Sequence, residues 1–281
     1  MNSFWDKLQG FANKSVQSSL SLVKVVLFSR PVQNPPSDFS SNTEIVILGN
    51  GPSLLNTINK KSGFLQNKDL LAVNFAVTSG YFEQIQPNIY VAVDPAFFTN
   101  EEYCVRLFAN LATKVKWPLL LFLPVKAKKH NNWRKHLDNN NLIRIAYVNI
   151  TPVEGFSWLA YPIYKSGLGM PRPRNVLIPA IMQALRMKYN TIYVAGADHS
   201  WPRQVAVDDE NRVYEDLKHF YSNEKEPQRH YFTKRLDEIL ESMVVAFRSY
   251  HVVEAFSRSI NKKIYNITEG SFIDAFERKK I

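Results

Sequence analysis

Apolar residues in this chain come in short, almost unbroken runs set between stretches of mixed pattern. The runs are "EIVILG" (44–49), "LLAVNF" (70–75), "IYVAVD" (89–94), "PLLLFLPV" (118–125), "LIRIAYVN" (142–149), "TIYVAGAD" (191–198) and "KKIYNIT" (262–268). Apolar runs of this length without alternation predict strands covered on both faces, as in parallel sheets. Helices are expected at 53–61, 175–188 and 233–250, between or after these strands. Strands alternating with helices predict an α/β, Rossmann-like, mostly parallel sheet with helices on both faces.

The N-terminal segment has a different period. Trp5, Leu8, Ala12, Val16, Leu20, Val23 and Leu27 recur every three or four residues, with Lys7, Lys14, Ser18 and Ser21 opposite. This is an amphipathic helix over residues 1–30, suited either to an anionic membrane surface or to packing on the parent domain or another subunit. Its most apolar run, "LSLVKVVLF" (20–28), is too short to span a bilayer and is interrupted by Lys24. A Pro/Ser/Asn-rich linker follows at 31–43, and the main domain is expected over 44–281. Within it, the polar and aromatic stretch at about 200–235 is long and irregular enough to be a lid.

Composition narrows the partners. The chain has 281 residues, 45% of them hydrophobic, which supports a sizeable core. The single cysteine, Cys104, excludes an internal disulfide, and no Cys/His cluster points to a metal. A net charge of +10 and a pI near 9.5 favour an anionic partner: a phosphorylated donor, an acidic lipid surface or nucleic acid. No zinc-finger, helix-turn-helix or RNP pattern is present, which disfavours nucleic acid. The basic run "KAKKHNNWRKH" (126–136) would be a solvated face or meet anionic lipid or a polyanionic acceptor.

Ligands of such sheets bind outside the carboxyl ends of the strands, where polar residues and glycines collect in this sequence. Gly49-Asn50-Gly51-Pro52-Ser53 joins the first strand to a helix. Glycine at 49 and 51 would permit positive φ and close approach to a ligand, and Asn50 tolerates left-handed geometry. Pro52 suits a first helical position, and Ser53 would satisfy free N–H groups at a helix start that favours phosphate. Asn74 and Asp94 end the second and third strands, and Gly196-Ala197-Asp198-His199 ends the sixth. Asp198 would hold a sugar hydroxyl, with His199 as base or phosphate contact. Arg172 and Arg174 precede the 175–188 helix and suit a diphosphate or carboxylate. The lid carries His219, Tyr221, His230 and Tyr231, tyrosines for a leaving phosphate and histidines for an acceptor hydroxyl.

"VILGNGPSL" (46–54) resembles the strand–turn motif of the bacterial sialyltransferases of glycosyltransferase family 42 and of the related DUF115 or MptE-like proteins. Asn74 matches their second-strand asparagine, "NTIYVAGAD" (190–198) their strand ending in Gly-x-Asp, and "KIYNITEGSFIDAFERK" (263–279) an MptE-like C-terminal ending. The resemblance spans about 44–281. It implies a GT-A variant of the Rossmann-like fold and metal-independent transfer from a CMP-activated sugar, of sialic or Kdo type, to a cell-surface glycan or lipid-linked acceptor. It places the enzyme at the cytoplasmic face of the membrane, with homo-oligomerisation open. Gly49, Asn50, Gly51, Ser53 and Asn74 would hold the nucleotide beside Asp198. Pro52, Asp94, Asn175 and Gly196 complete the nucleotide side read from the rim. Arg172, Arg174, Tyr221 and Tyr231 would face the leaving phosphate. The family's "HYxxH" segment reads "HYFTK" here, with Lys234 in place of the last histidine, and Asn175-Val176-Leu177 replaces Thr-Ser-Gly. His230, His219 and His199, in that order, are the candidate bases. The alternatives are an ATP- and Mg2+-dependent diphosphokinase, with Asp94 and Asp198 as metal ligands, and a non-catalytic nucleotide-binding protein in glycan assembly.

Overall fold

The chain lays down its sheet outward from the first strand in one direction, then returns and extends it in the other. This follows from a computed structural model that describes residues 4–36, 39, 41–217 and 228–281. β1 (Glu44–Leu48), β2 (Asp69–Val73), β3 (Ile89–Val91), β4 (Leu119–Pro124) and β5 (Ile143–Val148) pair in succession. β6 (Thr191–Ala195) then pairs with the free side of β1, followed by β10 (Lys263–Asn266) and β11 (Glu277–Arg278). All pairings in this eight-stranded sheet are parallel, in the order β11-β10-β6-β1-β2-β3-β4-β5. The α/β Rossmann-like architecture is therefore the observed one, and every expected strand is present.

Side-chain alternation divides the core between the two faces of the sheet. Ile45, Ile47, Leu71 and Val73 pack on one face against the helix Leu177–Arg186, most of whose residues are buried. On the other face, Val46 and Leu48 meet Leu54 and Ile58 of α2 (Leu54–Lys60). Further along that face, Tyr90, Leu119 and Leu121 meet Cys104, Leu107, Phe108 and Leu111 of the helix Glu101–Lys114. Each such aliphatic side chain removed from water contributes about 1.5–3 kcal/mol. The Glu101–Lys114 helix carries its own start signal, Asn100 accepting from Tyr103 N at 3.1 Å, with two glutamates in the first turn. Trp133, in the basic run, is fully buried beside Phe108, so its ring belongs to the core.

The lid region is more regular than its composition suggests. β7 (Val205–Val207), β8 (Val213–Leu217) and β9 (Gln228–Tyr231) form a separate antiparallel sheet. The helix that follows, Leu236–Ser259, runs further than the expected 233–250.

α1 (Phe4–Phe28) docks on the main domain by its polar side. Ser21 Oγ donates to Glu154 O and accepts from Glu154 N, and Ser18 Oγ accepts from Phe156 N. Just past the helix, Ser29 Oγ donates to Leu168 O and hydrogen-bonds with the Thr151 hydroxyl. The close approach depends on Gly155, whose φ is +109° and where a Cβ would lie 2.7 Å from Ser18 N. Replacing Gly155 with Ala should therefore cost about 2 kcal/mol or more, from left-handed strain and overpacking. Gly80→Ala, with open space around its Cβ, should stay within about 0.5 kcal/mol of wild type. Urea denaturation midpoints, together with proteolytic sensitivity of α1, check both.

Candidate functional site

Strand order changes direction at β1, so the loops leaving the carboxyl ends of β1 and β6 diverge and leave a crevice between them. They remain tied together at their base. Gly49 N donates to Ala195 O at 2.8 Å and Gly51 N to Gly196 O at 2.9 Å. This contact is what the glycines serve. Neither Gly49 nor Gly51 has positive φ, contrary to the sequence expectation; the left-handed residues are Gly196 (φ 63°), Asn74 (φ 50°) and His199 (φ 50°), not Asn50. A Cβ on Gly51 would fall 2.7 Å from Gly196 O, and one on Gly49 would lie 2.9 Å from the Gly196 carbonyl carbon.

Ser53 also departs from expectation. It makes no capping bond to α2. Its Oγ donates to Asp198 Oδ2 at 2.7 Å, and its backbone N donates to Asp198 Oδ1 at 3.3 Å. The carboxylate placed at the start of α2 is thus the chain's own. Burial pushes the Asp198 carboxyl above its usual range, while the Ser53 hydrogen bonds pull the other way.

Above this base lies a cavity of about 520 Å³, within the usual size of small-molecule sites. Of the ten residues expected on the nucleotide side, Asn50, Gly51, Pro52, Asn74, Asp94, Asn175, Gly196 and Asp198 line it; Gly49 and Ser53 lie behind. Sequence reasoning had not singled out Trp201 and Gln204, which complete one wall. The Trp201 ring packs 4.1 Å, centroid to centroid, from His199. A tryptophan three residues past the Asp198 rim was the available signal.

Three buried amide atoms on the cavity residues have no protein partner: Asn50 Oδ1, Asn74 Oδ1 and Asn175 Nδ2. Two of the amides are oriented by their other ends. Asn50 Nδ2 donates to Val73 O at 3.2 Å, which leaves its oxygen unpaired. Asn175 Oδ1 accepts from Leu177 N at 3.0 Å and from Tyr250 Oη at 2.9 Å, which leaves its NH2 unpaired. An unsatisfied buried polar atom costs about 1–3 kcal/mol. The cavity-lining residues thus carry two acceptor atoms and one donor with no protein partner.

Tyr250 has one hydroxyl proton, and Asn175 takes it. His199 Nε2, 2.7 Å from Tyr250 Oη, must then be the donor in that contact. This fixes His199 as the Nε2–H tautomer with Nδ1 unprotonated. Burial lowers its pKa to about 3, so the imidazole stays neutral and is a weak base.

The other candidates are dispersed. Arg174 is exposed and is the one arginine or lysine among the cavity-lining residues. Arg172 is turned away: its Nε donates to both oxygens of Glu154 at 3.1 Å, and the ion pair raises its pKa. Asp94 Oδ1 caps Ala96 N at 2.9 Å. His230 and Tyr231 lie on β9, outside the cavity lining. His230 is exposed and lies opposite the buried Glu215 in the β8–β9 register, and Tyr231 packs on Tyr214 and Arg212. His219 and Tyr221 lie outside the described residues. Among those described, no group of three or more His, Cys, Asp or Glu side chains is placed to hold a metal ion.

The fold is that of an α/β Rossmann-like protein, with a cavity at the switch point of its sheet. No protein-family model and no curated protein sequence matches the chain. Among solved structures it is similar to the MAf glycosyltransferase from Magnetospirillum magneticum AMB-1, with a TM-score of 0.51 and 11% sequence identity. That match takes in 98% of this chain but 40% of the other, and at this identity it speaks for the shared fold.

His199 gives the site a pH signature. Its pKa is 6.5 when unfolded and about 3 when folded, so the unfolded chain binds the extra proton between those values. Stability should therefore fall as pH drops from 6.5 towards 3. Asp198, with its raised folded pKa, acts in the opposite direction, but it does so equally in a His199→Gln protein. The difference in denaturation midpoint between wild type and His199→Gln should shift against wild type as pH falls through that window. A pH-independent difference would contradict the buried, neutral imidazole.

Proposed function

We propose that this protein is a glycosyltransferase that takes a CMP-activated sugar of sialic or Kdo type and passes it to a glycan or lipid-linked acceptor. The observation that carries this reading is the set of unpartnered amide atoms on Asn50, Asn74 and Asn175, gathered beside Trp201 in a cavity at the β1/β6 switch point. Such an array suits a nucleoside: the amides meet base and ribose polar atoms, and the indole offers a face for stacking. The structural likeness to the MAf glycosyltransferase supports the same class of chemistry.

In this reading the acceptor hydroxyl oxygen bonds to the anomeric carbon as the bond from that carbon to the phosphate oxygen breaks. CMP leaves with the electron pair, and the hydroxyl proton passes to a base. In this scheme Arg174, the arginine of the cavity lining, neutralises the leaving phosphate, and the neighbouring Asn175 is held in orientation by Tyr250, itself bonded to His199. His199 serves this positioning chain. The general base is assigned to His230, opposite Glu215 on the lid sheet, which must move towards the cavity to act. Holding the reactants and stabilising the departing charge supply most of the rate enhancement in this scheme.

A thermal-shift series with CMP, CDP, UDP, GDP and ATP, each with and without Mg2+, tests the reading. CMP should raise the melting temperature without metal. Asn50→Ala and Arg174→Ala should each weaken CMP binding by about tenfold, as expected for loss of one hydrogen bond to a charged or buried group. Stabilisation by ATP that requires Mg2+, with no response to CMP, would instead favour the diphosphokinase.

A further inference from the structure

α1 is mounted inside out relative to an ordinary surface helix. The side bearing Ser18 and Ser21 faces the protein, with Ser21 1% and Ser18 6% exposed, while Trp5 is 72% and Val26 77% exposed on the other side. Ten of the twenty large apolar side chains exposed among the described residues lie on this one helix, which concentrates the surface apolar area there. At 1.5 Å per residue the apolar face extends for about 37 Å. Phe11 packs 5.3 Å from Phe156, which stacks on the exposed Trp158, so the face continues onto the neighbouring helix Ser157–Ser166.

We propose that this face lies in the headgroup region of an anionic bilayer. Charge selects that occupant. Lys24 flanks the outward face next to Leu20, and Lys126 approaches the Phe28 ring at 6.0 Å, while Lys7 and Lys14 lie towards the docked side and Asp6 is the one acidic residue of the helix. The whole chain carries +10. A second copy of the same surface would bring these cations together, whereas anionic lipid neutralises them. The shape agrees. Placed at 100° per residue, the outward apolar positions from Leu22 round to Leu20 cover roughly 160° of the helix, broader than the narrow seam of a helix pair. No helix among the described residues is long and apolar enough to cross a membrane, so contact is in the plane of the surface.

The docked side of α1 ties this surface to the cavity. Ser29 bonds to Thr151, next to Ile150 of the cavity lining, and Ser21 bonds to the backbone of Glu154, whose carboxylate holds Arg172 two residues before Arg174. The membrane proposal stands on α1 alone and does not rest on the identity of the donor.

Sedimentation of the full chain with vesicles tests it. Wild type should bind phosphatidylcholine vesicles containing phosphatidylglycerol, bind pure phosphatidylcholine far less, and lose binding as salt rises. The double variant Val16→Glu/Val23→Glu, at two exposed positions, should lose about tenfold or more of that binding. Val105→Glu, an exposed valine on another helix, should bind as wild type. Absent or charge-independent binding, or undiminished binding by the double variant, would overturn the proposal. So would sedimentation velocity showing a lipid-free dimer that Val16→Glu/Val23→Glu disperses, because the face would then be an interface between copies.

Discussion

The carboxylate of Asp198 grips Ser53 across the crevice between β1 and β6, and the site is arranged around that contact. Two loops from parallel neighbouring strands naturally splay apart where strand order reverses. Here they are drawn together by Gly49 and Gly51 donating to the Ala195 and Gly196 carbonyls, at a separation that a Cβ at either glycine would not allow. The Asp198–Ser53 hydrogen bonds close the pair and place a carboxylate at the start of α2, where the helix end favours negative charge. With that position filled, the polar capacity of the crevice is left to the asparagines above it.

Those asparagines derive their directionality from groups behind them. Asn175 is held by Leu177 and by Tyr250, which is itself buried and bonded to His199. Asn50 is likewise held by Val73 O, so that in both of these amides one end is fixed and the other has no protein partner. Preorganised polar groups of this kind bind a ligand without paying for reorientation at the time of binding. The same arrangement explains why His199, the most conspicuous titratable residue on the rim, is poorly suited to accept a proton: burial suppresses its charge.

Much of the scaffold was legible in the sequence because parallel strands buried on both faces read as plain apolar runs, and all seven such runs became strands. The rim was legible for the same reason, since strand ends were visible. The purpose of the glycines was not. Their constraint comes from residues about 145 positions away in the chain, as does the Ser53–Asp198 pair, and no local pattern reports it. The lid sheet was missed because β7 to β9 are short and partly exposed, with little apolar signal. α1 was placed correctly as an amphipathic helix, but its period does not say which face meets the protein. That was decided by Ser18 fitting against Gly155 and Ser21 bonding to the Glu154 backbone, where larger apolar side chains would not allow so close an approach.

The most direct test of the account is a crystal structure of the protein grown with CMP. The account predicts the nucleotide in the crevice, its polar atoms meeting Asn50, Asn74 and Asn175, with the base against Trp201 and the phosphate towards Arg174. A nucleotide bound elsewhere on the protein, or a crevice still empty at saturating CMP, would contradict it.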